Sequence, residues 1–239
     1  MSTTIENERS PRKSDSLPGR AGSRGRGTAT VGDPGVTSTD RQATARRTDD
    51  DSARERVLRA ADRLFYDRGV QAVGMDELRA ASGISLKRIY RLFASKEAIV
   101  EEVLRHRHEL WEAGISAAVS AAAEPRERLL AVYDFLARWF DDDGFRGCFF
   151  INSFGELSGT APRVTELVRA HKAGFQETVA RLVAEAGGPP ELAPQLAILA
   201  EGAQTTAAIA GTSEAAGQAR AAAETLIDVA LRPARNRAA

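Results

Sequence analysis

The chain has 239 residues, enough for one large or two small domains, and its 33 basic and 33 acidic residues cancel to no net charge. Any nucleic-acid partner would therefore be attracted by a local basic region and not by the chain as a whole. The single cysteine, Cys148, excludes an intrachain disulfide and a cysteine metal cluster. No apolar run reaches the roughly 20 residues of a membrane span, so we expect a cytoplasmic protein without a membrane partner.

Residues 1–50 are rich in Ser, Thr, Gly, Pro and Arg and carry few large apolar side chains. Such a segment buries too little apolar surface to offset its chain entropy, so we expect a disordered arm. The arm is basic between Arg9 and Arg26, but no apolar stretch follows, so it is not expected to be a secretory signal. It would either attract DNA phosphates without sequence preference or be an inert, solvated extension.

After the arm, the pattern becomes helical, with many Ala, Leu, Arg and Glu residues and no β-branched alternation. Apolar residues recur at helical spacing from Val57 to Phe65 and predict a first helix over about 54–67. A second helix is predicted over 75–81. Gly83 follows it and permits the positive φ that a tight turn between helices requires.

The third predicted helix begins after Ser85, a favourable N-cap residue, and ends near Leu92. At 100° per residue, Ile89 and Phe93 lie on one side, where they can anchor the helix to its neighbours. Tyr90 lies at the boundary between this side and the polar one. The third helix should therefore have one apolar and one polar face.

Lys87, Arg88 and Arg91 occupy the polar face and are candidates for reading base edges, because the major groove of DNA accepts an α-helix. Arginine can donate to O6 and N7 of guanine together. Lys96 follows Ser95, the N-cap of a fourth helix, and a helix N-terminus favours an anion, so we expect Lys96 to bind the DNA backbone. A merely solvated basic face is the alternative.

These short helices resemble the N-terminal signature of the TetR family of regulators. The residues that carry the resemblance are Gly69, Met75-Asp76-Glu77-Leu78, Ala81, Gly83-Ile84-Ser85, Ile89-Tyr90, Phe93 and Ser95-Lys96-Glu97. The resemblance implies that Tyr90 and Lys96 contact phosphates and that the helix from Ser85 to Leu92 reads bases. It also implies a homodimer on palindromic double-stranded operator DNA, usually a repressor that a small-molecule effector releases.

The expected fold is all-α, with a three-helix helix-turn-helix domain over 51–104 and a helical ligand-binding and dimerisation domain over 105–233. Two features depart from the family pattern. Gly74 stands where a Ser or Thr cap is common, and Leu86-Lys87-Arg88 replaces a basic-Gly-Thr-like run. The base preferences should differ accordingly.

Further helices are predicted over 125–140, 148–158, 162–186, 190–212 and 214–231. The last two are rich in Ala and Gly, which allows helices to approach closely. The resemblance implies that they pair across the two-fold axis as a four-helix bundle. The alternative is that these small residues only favour helix formation and form no interface.

Aromatic residues concentrate in the middle of the chain, and the resemblance implies a ligand pocket there. The candidate pocket residues are Trp111, Trp139, Phe149, Asn152, Phe154, His171 and Gln204. Apolar walls with a few polar groups suit an apolar or aromatic small molecule, although an ordinary core is the alternative. Cys148 is expected to be a packing residue and not a redox sensor. His106 and His108 point about 200° apart on a helix and cannot share one metal ion, so no metal or cofactor is expected.

Two other functions compete with a ligand-responsive repressor. The basic arm alone would suit a non-specific DNA-binding protein. A small helical enzyme is the other alternative, but the sequence offers no nucleophile–base pair, metal-ligand cluster or Gly-rich phosphate loop. We therefore do not expect an enzyme.

Overall fold

The computed structural model describes residues 38–142 and 144–232, and all regular secondary structure within these ranges is helical. The helices of this described part are α1 Ser38–Arg68, α2 Met75–Ser82, α3 Leu86–Leu92, α4 Lys96–Ser120, α5 Pro125–Phe140, α6 Phe149–Leu157, α7 Pro162–Glu185, α8 Leu192–Ala210 and α9 Glu214–Ala230. The all-α prediction is confirmed.

Most helix ends lie where local signals predicted them. Pro125 and Pro162 are the first residues of α5 and α7, because a first helical turn needs no donor at that position. Gly83 ends α2 with a φ of 66°, in the left-handed region that favours glycine. The Ser95 hydroxyl accepts a hydrogen bond from the Ala98 amide at 3.1 Å and caps α4.

The start of α1 differs from the prediction. The helix begins at Ser38 and not near residue 54, so residues 38–50 of the predicted disordered arm are helical; residues 1–37 lie outside the described residues. Prediction failed here because residues 38–50 are polar on every side and carry no apolar stripe. They also contain no Gly or Pro, so helix propensity permits the extension.

The first four helices surround one set of buried side chains, which we call the N-terminal core. Its members from these helices and their connections include Val57, Ala61, Phe65, Leu78, Ile84, Ile89, Phe93, Ile99, Val100 and Val103. Arg54 holds the end of α3, because it donates to the Leu92 carbonyl at 2.8 Å and also bonds to Glu102 of α4. The short α3 is thus anchored by its buried residues in the N-terminal core and by Arg54 at its C-terminal end.

The N-terminal core does not stop at the predicted domain boundary after residue 104. That boundary falls inside the continuous helix α4, and Phe149, Phe150, Val164 and Val168 of α6 and α7 belong to the same core. The helix-turn-helix segment and the following helices are therefore joined by a shared core as well as by one helix.

A second core lies among α5, α7, α8 and α9. Many of the small residues predicted for the dimer interface are instead buried here within one protomer, because they let α8 and α9 pack closely together. They include Ala200, Ala203, Ala207, Ala215, Ala216, Ala219 and Ala223. The exposed faces of α8 and α9 are made by other residues.

Candidate functional site

Helix α3 presents its polar face to solvent as predicted. Its N-cap Ser85 accepts a hydrogen bond from the Arg88 amide at 3.4 Å, and Ile89 is fully buried beneath the helix. Lys87, Tyr90 and Arg91 are exposed on the outside. Residues three and four apart are neighbours on a helix, so these three side chains form one patch that can reach the bases and phosphates of a groove.

Arg88 was predicted to lie on the polar face with Lys87 and Arg91, but it is paired with acidic residues of α1. Its guanidinium bonds the carboxylates of Asp49 at 2.5 Å and Asp50 at 2.9 Å, both on α1. Arg91 shares Asp50 at 2.7 Å. The hydrogen bond from Arg88, supported by that from Arg91, holds the pKa of Asp50 below its ordinary value.

Lys96, the first residue of α4, is partly buried. Its ammonium group lies 5.9 Å from the centre of the Phe65 ring, and it lines a small surface cavity with Leu157 and Thr160. Burial lowers the pKa of Lys96. A phosphate contact by Lys96 stays a prediction, and it requires the side chain to turn outward.

Four of the predicted pocket residues come together around one cavity of 250 Å³, the aromatic cavity. They are Trp111, Trp139, Phe149 and His171, and Phe135 and Phe150 complete the wall. The Trp111 ring lies 5.3 Å from Phe135 and 5.4 Å from Trp139, measured between ring centres. Such edge-to-face contacts hold the aromatic walls in place around the space.

Three predicted pocket residues, Asn152, Phe154 and Gln204, do not line the aromatic cavity. On α6 the inward positions are taken by Phe149 and Phe150, so Asn152 faces outward and donates to the Arg146 carbonyl, while Phe154 is 40% exposed. Gln204 is buried in α8, where its amide donates to the carbonyl of the preceding turn. These three predictions are corrected by the way α6 and α8 dock.

His171 separates the aromatic cavity from a larger one of 610 Å³, which we call the charged cavity. The walls of the charged cavity include Arg105, Glu109, Glu112, Glu177 and Arg181. His171 lies between the cavities, stacked on Phe150 with 3.6 Å between ring centres. Its Nδ1 lies 3.0 Å from Nδ1 of His108, so one of the two rings donates a hydrogen bond to the other.

Helix α6, which carries two walls of the aromatic cavity, is tied to α1 and to the loop after it at both of its ends. Before α6, the Tyr66 hydroxyl donates to the Gly147 carbonyl at 2.8 Å and accepts from the Arg146 amide at 2.9 Å. Near its C-terminus, the Glu156 carboxylate accepts from the amides of Val70 at 3.2 Å and Gln71 at 2.8 Å.

These connections carried no sequence signal, since their partners lie 80 to 86 residues apart. Arg107 gave no signal either: it pairs with Asp62, 45 residues away, and lies over the rings of Tyr66 and Phe149. Phe150 was the detectable omission, because it adjoins Phe149 at the start of a predicted helix.

Two family profiles match this chain. Residues 57–103 match the profile described as bacterial regulatory proteins, tetR family, and residues 125–223 match the one described as Tetracyclin repressor-like, C-terminal domain. Together they cover the α2–α3 turn and helices α5 to α8, whereas residues 104–124, which include Trp111 of the aromatic cavity, lie between the two matches. The chain belongs to the TetR family.

Curated relatives of this TetR-family chain are named as transcriptional regulators and not as enzymes. An uncharacterized HTH-type regulator of Mycobacterium tuberculosis is 30% identical over 131 residues, covering 55% of this chain and 64% of the relative. The activator FasR of Mycolicibacterium smegmatis is 30% identical over 142 residues, 58% of this chain and 62% of that protein. The repressor KstR2 of the same species is 32% identical over 82 residues, 34% of this chain and 40% of that protein. The chain thus spans less than two thirds of the length of these relatives.

Solved structures of TetR-family proteins extend the likeness over most of the fold. A regulator from Streptomyces coelicolor has 26% identity and a TM-score of 0.73, covering 76% of this chain and 97% of that one. A regulator from Streptomyces avermitilis has 29% identity and a TM-score of 0.65, covering 74% and 97%.

The described part of this TetR-family chain also bears on metal sites and membrane-spanning helices, neither of which the sequence predicts. Within residues 38–142 and 144–232, no group of three or more His, Cys, Asp or Glu side chains is placed to hold a metal ion. Over the same residues, no helix has the length and apolar character of a membrane span.

The buried His171 predicts a pH-dependent stability. Burial lowers the pKa of His171 to about 3, whereas the unfolded side chain titrates near 6.5. Below pH 6.5 the unfolded chain therefore binds a proton that the folded chain excludes, and stability falls as pH falls through this window. We expect about 2 kcal/mol of this loss by pH 5. Urea unfolding at pH 7 and pH 5 measures it.

The matched variants are His171→Gln and His106→Gln, since His106 is exposed on α4. His171→Gln should remove the pH-dependent part of the stability that His106→Gln retains. Equal pH dependence in both variants would show that His171 does not control it.

Proposed function

We propose that this TetR-family protein is a homodimeric, sequence-specific DNA-binding regulator that represses transcription until a small effector releases it from a palindromic operator. One observation carries the proposal. The capped helix α3 is anchored by the buried Ile89 and exposes Lys87, Tyr90 and Arg91 on its opposite side. Chromosomal DNA as the partner implies that it acts in the cytoplasm.

The six candidate DNA-binding residues divide by their placement. Lys87 and Arg91 can read base edges in the major groove, and the Tyr90 and Ser85 hydroxyls can bond phosphates at its rim. Arg88 can read bases only after it exchanges the α1 carboxylates for acceptors on DNA. Lys96 can reach a phosphate only by leaving the Phe65 ring.

Support for a homodimer comes from two uncharged stripes on the exposed faces of α8 and α9. The α8 stripe is Ile198, Gly202, Thr205 and Ile209. The α9 stripe is Gln218, Ala222, Thr225 and Val229. Ile198 is 71% exposed and Ile209 is 83% exposed. Uncharged side chains at heptad spacing on two neighbouring helices, with two exposed isoleucines among them, favour burial against a second copy.

The aromatic cavity is the proposed effector site, and its walls suit a small apolar or aromatic compound. Polar contacts are available at its edge from His171 and from the Arg107–Asp62 pair. The two tryptophans of the chain, Trp111 and Trp139, both line this cavity. Tryptophan fluorescence therefore reports on the surroundings of this cavity. A panel of aromatic compounds can be screened by quenching, which should be strongest for those that enter it.

Effector binding can reach the DNA-binding helices through α6. A compound that displaces Phe149 or Phe150 moves α6, and α6 holds the loop after α1 through Glu156. A shift of this loop changes how the α1–α3 unit is held and thus the spacing of the two recognition helices in a dimer. Release then follows from the effector's preference for a dimer that cannot bind successive major grooves.

Replacing Glu156 with Ala should uncouple the two sites. Coupled sites typically change each other's affinity by roughly 5- to 150-fold. We expect the compound selected by tryptophan quenching to weaken operator binding by a factor in this range in the unmodified protein and by less than about twofold in the variant. Glu166→Ala on the exposed side of α7 is the control. Unchanged release in Glu156→Ala, with quenching retained, would exclude this route.

A competition experiment tests the proposed function itself. A sequence-specific regulator should prefer its own site over unrelated DNA by roughly 10³-fold or more at physiological salt. Equal affinity for both DNAs would instead favour the non-specific DNA-binding protein. The named relatives include an activator and a repressor, so a reporter gene placed behind the bound site distinguishes repression from activation.

A further inference from the structure

Two consecutive aspartates on α1 bind the arginines of the recognition helix. The Arg88 guanidinium lies 2.5 Å from an oxygen of Asp49 and 2.9 Å from an oxygen of Asp50, and the same Asp50 oxygen lies 2.7 Å from Arg91. Arg88 also bonds the Asp49 carbonyl at 3.0 Å. Two candidate DNA-reading cations are therefore already occupied by carboxylates of the same chain.

The register of α1 explains why these two aspartates, and not their neighbour, meet α3. Asp49 and Asp50 lie four and three residues before Ala53, which is buried against the N-terminal core. They lie one turn before Ala53 on the same face of α1. This turn extends past the edge of the N-terminal core and reaches α3. Asp51 lies away from this face and is exposed.

DNA and the aspartates offer the same arginines the same kind of group. A phosphate or the O6 and N7 edge of guanine is an acceptor for a guanidinium, as a carboxylate is. Exposed ion pairs are individually weak, so DNA acceptors can displace them. The Nε–H of Arg88 is buried and makes no hydrogen bond to the protein, so the arrangement leaves this donor unused. Asp50 is charged at neutral pH as any exposed aspartate is, and the hydrogen bond from Arg88 holds its pKa below the ordinary value.

We propose that Asp49 and Asp50 form a built-in competitor that occupies Arg88 and Arg91 and must be displaced when α3 enters DNA, so that these carboxylates limit the affinity for DNA. The inference rests on the proposed function, in that α3 must be the element that meets DNA. It adds that the extension of α1 before residue 54 sets how tightly α3 binds. No residue outside α1 and α3 is required.

The matched variants are D50N and D51N, which remove the same charge from adjacent positions of α1. Only D50N changes the pairing of the arginines: it releases Arg91 from Asp50 and leaves Arg88 with Asp49 alone. Each additional cation that meets a phosphate steepens the plot of log affinity against log salt by about 0.9. On a short random-sequence duplex no specific base contact offsets the displacement, so we expect Arg91 to stay on Asp50 in D51N and to meet a phosphate in D50N. Between about 50 and 200 mM salt the slope of D50N should therefore be steeper than that of D51N by about one. At 100 mM salt this corresponds to about five- to tenfold tighter binding than D51N.

A second pair of variants ties the effect to the arginines. In the R88A/R91A background, D50N and D51N should bind the random duplex equally, because no cation is left to release. Equal slopes for D50N and D51N in the unmodified background would overturn the proposal. Weaker binding by D50N than by D51N would overturn it as well, because Asp50 would then position the arginines for DNA.

The random duplex separates this inference from the proposed function. If the protein prefers no DNA sequence, yet binds the duplex more tightly after D50N, the proposed sequence-specific function is wrong and the competitor proposal stands. If the protein prefers its own site, yet D50N and D51N bind the duplex alike, the proposed function stands and the competitor proposal is wrong.

Discussion

Replacing Ile209 with Glu should abolish tight operator binding although it changes no residue near the DNA. Ile209 is 83% exposed at the end of the uncharged α8 stripe, where a second copy would cover it. A carboxylate buried in an uncharged interface without a partner is costly to desolvate, and a two-fold symmetric interface buries it twice, so dimerisation is opposed. A monomer contacts one half-site, so it loses the roughly 10²- to 10⁴-fold gain of two linked contacts.

Ala210→Glu is the matched control, because it adds the same charge one residue later on an exposed position off the stripe. Sedimentation and operator titration should give a monomer with weak binding for Ile209→Glu and a dimer with normal binding for Ala210→Glu. A dimeric Ile209→Glu with unchanged operator affinity would place the interface elsewhere on the molecule.

Lys87→Ala should relax base preference, whereas Tyr90→Ala should weaken binding to every sequence alike. Lys87 is exposed on α3, and a lost base contact costs about 1–3 kcal/mol at the base pair it reads. This is a loss of roughly 5- to 150-fold against the preferred base and little against the others. Tyr90 is 52% exposed, and its proposed partner is a phosphate, which is the same at every base pair.

Affinities for the operator and for each single base-pair variant of it measure both effects. A uniform loss for Lys87→Ala would mean that Lys87 positions the helix on the backbone and does not read bases. A loss confined to one base pair for Tyr90→Ala would reverse the assignment of Tyr90. Arg91→Ala is less direct as a test, because it also removes one of the two arginines that bond Asp50.

The sequence predicted those parts of the fold that depend on local chemistry. Ser85 and Ser95 mark a helix start through a hydrogen bond made within one turn. The prolines that open α5 and α7 mark one because the first helical turn needs no backbone donor at their position. The start of α1 was missed because apolar periodicity detects burial, and its first residues form a polar helix. Apolar stripes therefore predicted the helices that pack on a core better than the polar first turns of α1.

The candidate site was predictable in its residue types but not in its contacts. Trp111, Trp139 and Phe149 are large aromatic residues that the sequence placed together in one region, and the structure brings them around one cavity. The direction in which each side chain points depends on how its helix docks, which is why Asn152 and Phe154 were assigned to the wrong side of α6.

Pairs far apart in the chain gave no warning of their contacts. His108 and His171 lie 63 residues apart, and Arg88 and Asp50 lie 38 apart. Each residue taken alone has an ordinary surface or core explanation. Only the packing of α4 on α7, and of α1 on α3, creates the histidine pair and the occupied recognition helix.

Selection of bound sequences from random duplex DNA by the purified, full-length dimer tests the central claim most directly. Two copies of α3 held by a symmetric dimer should enrich an inverted repeat, with half-site centres separated by about one helical turn or a multiple of it. Lys87→Ala should alter the enriched bases within each half-site and leave the spacing unchanged. Two results would contradict the account. One is recovery of no symmetric sequence by the unmodified protein. The other is recovery of the same bases by Lys87→Ala as by the unmodified protein.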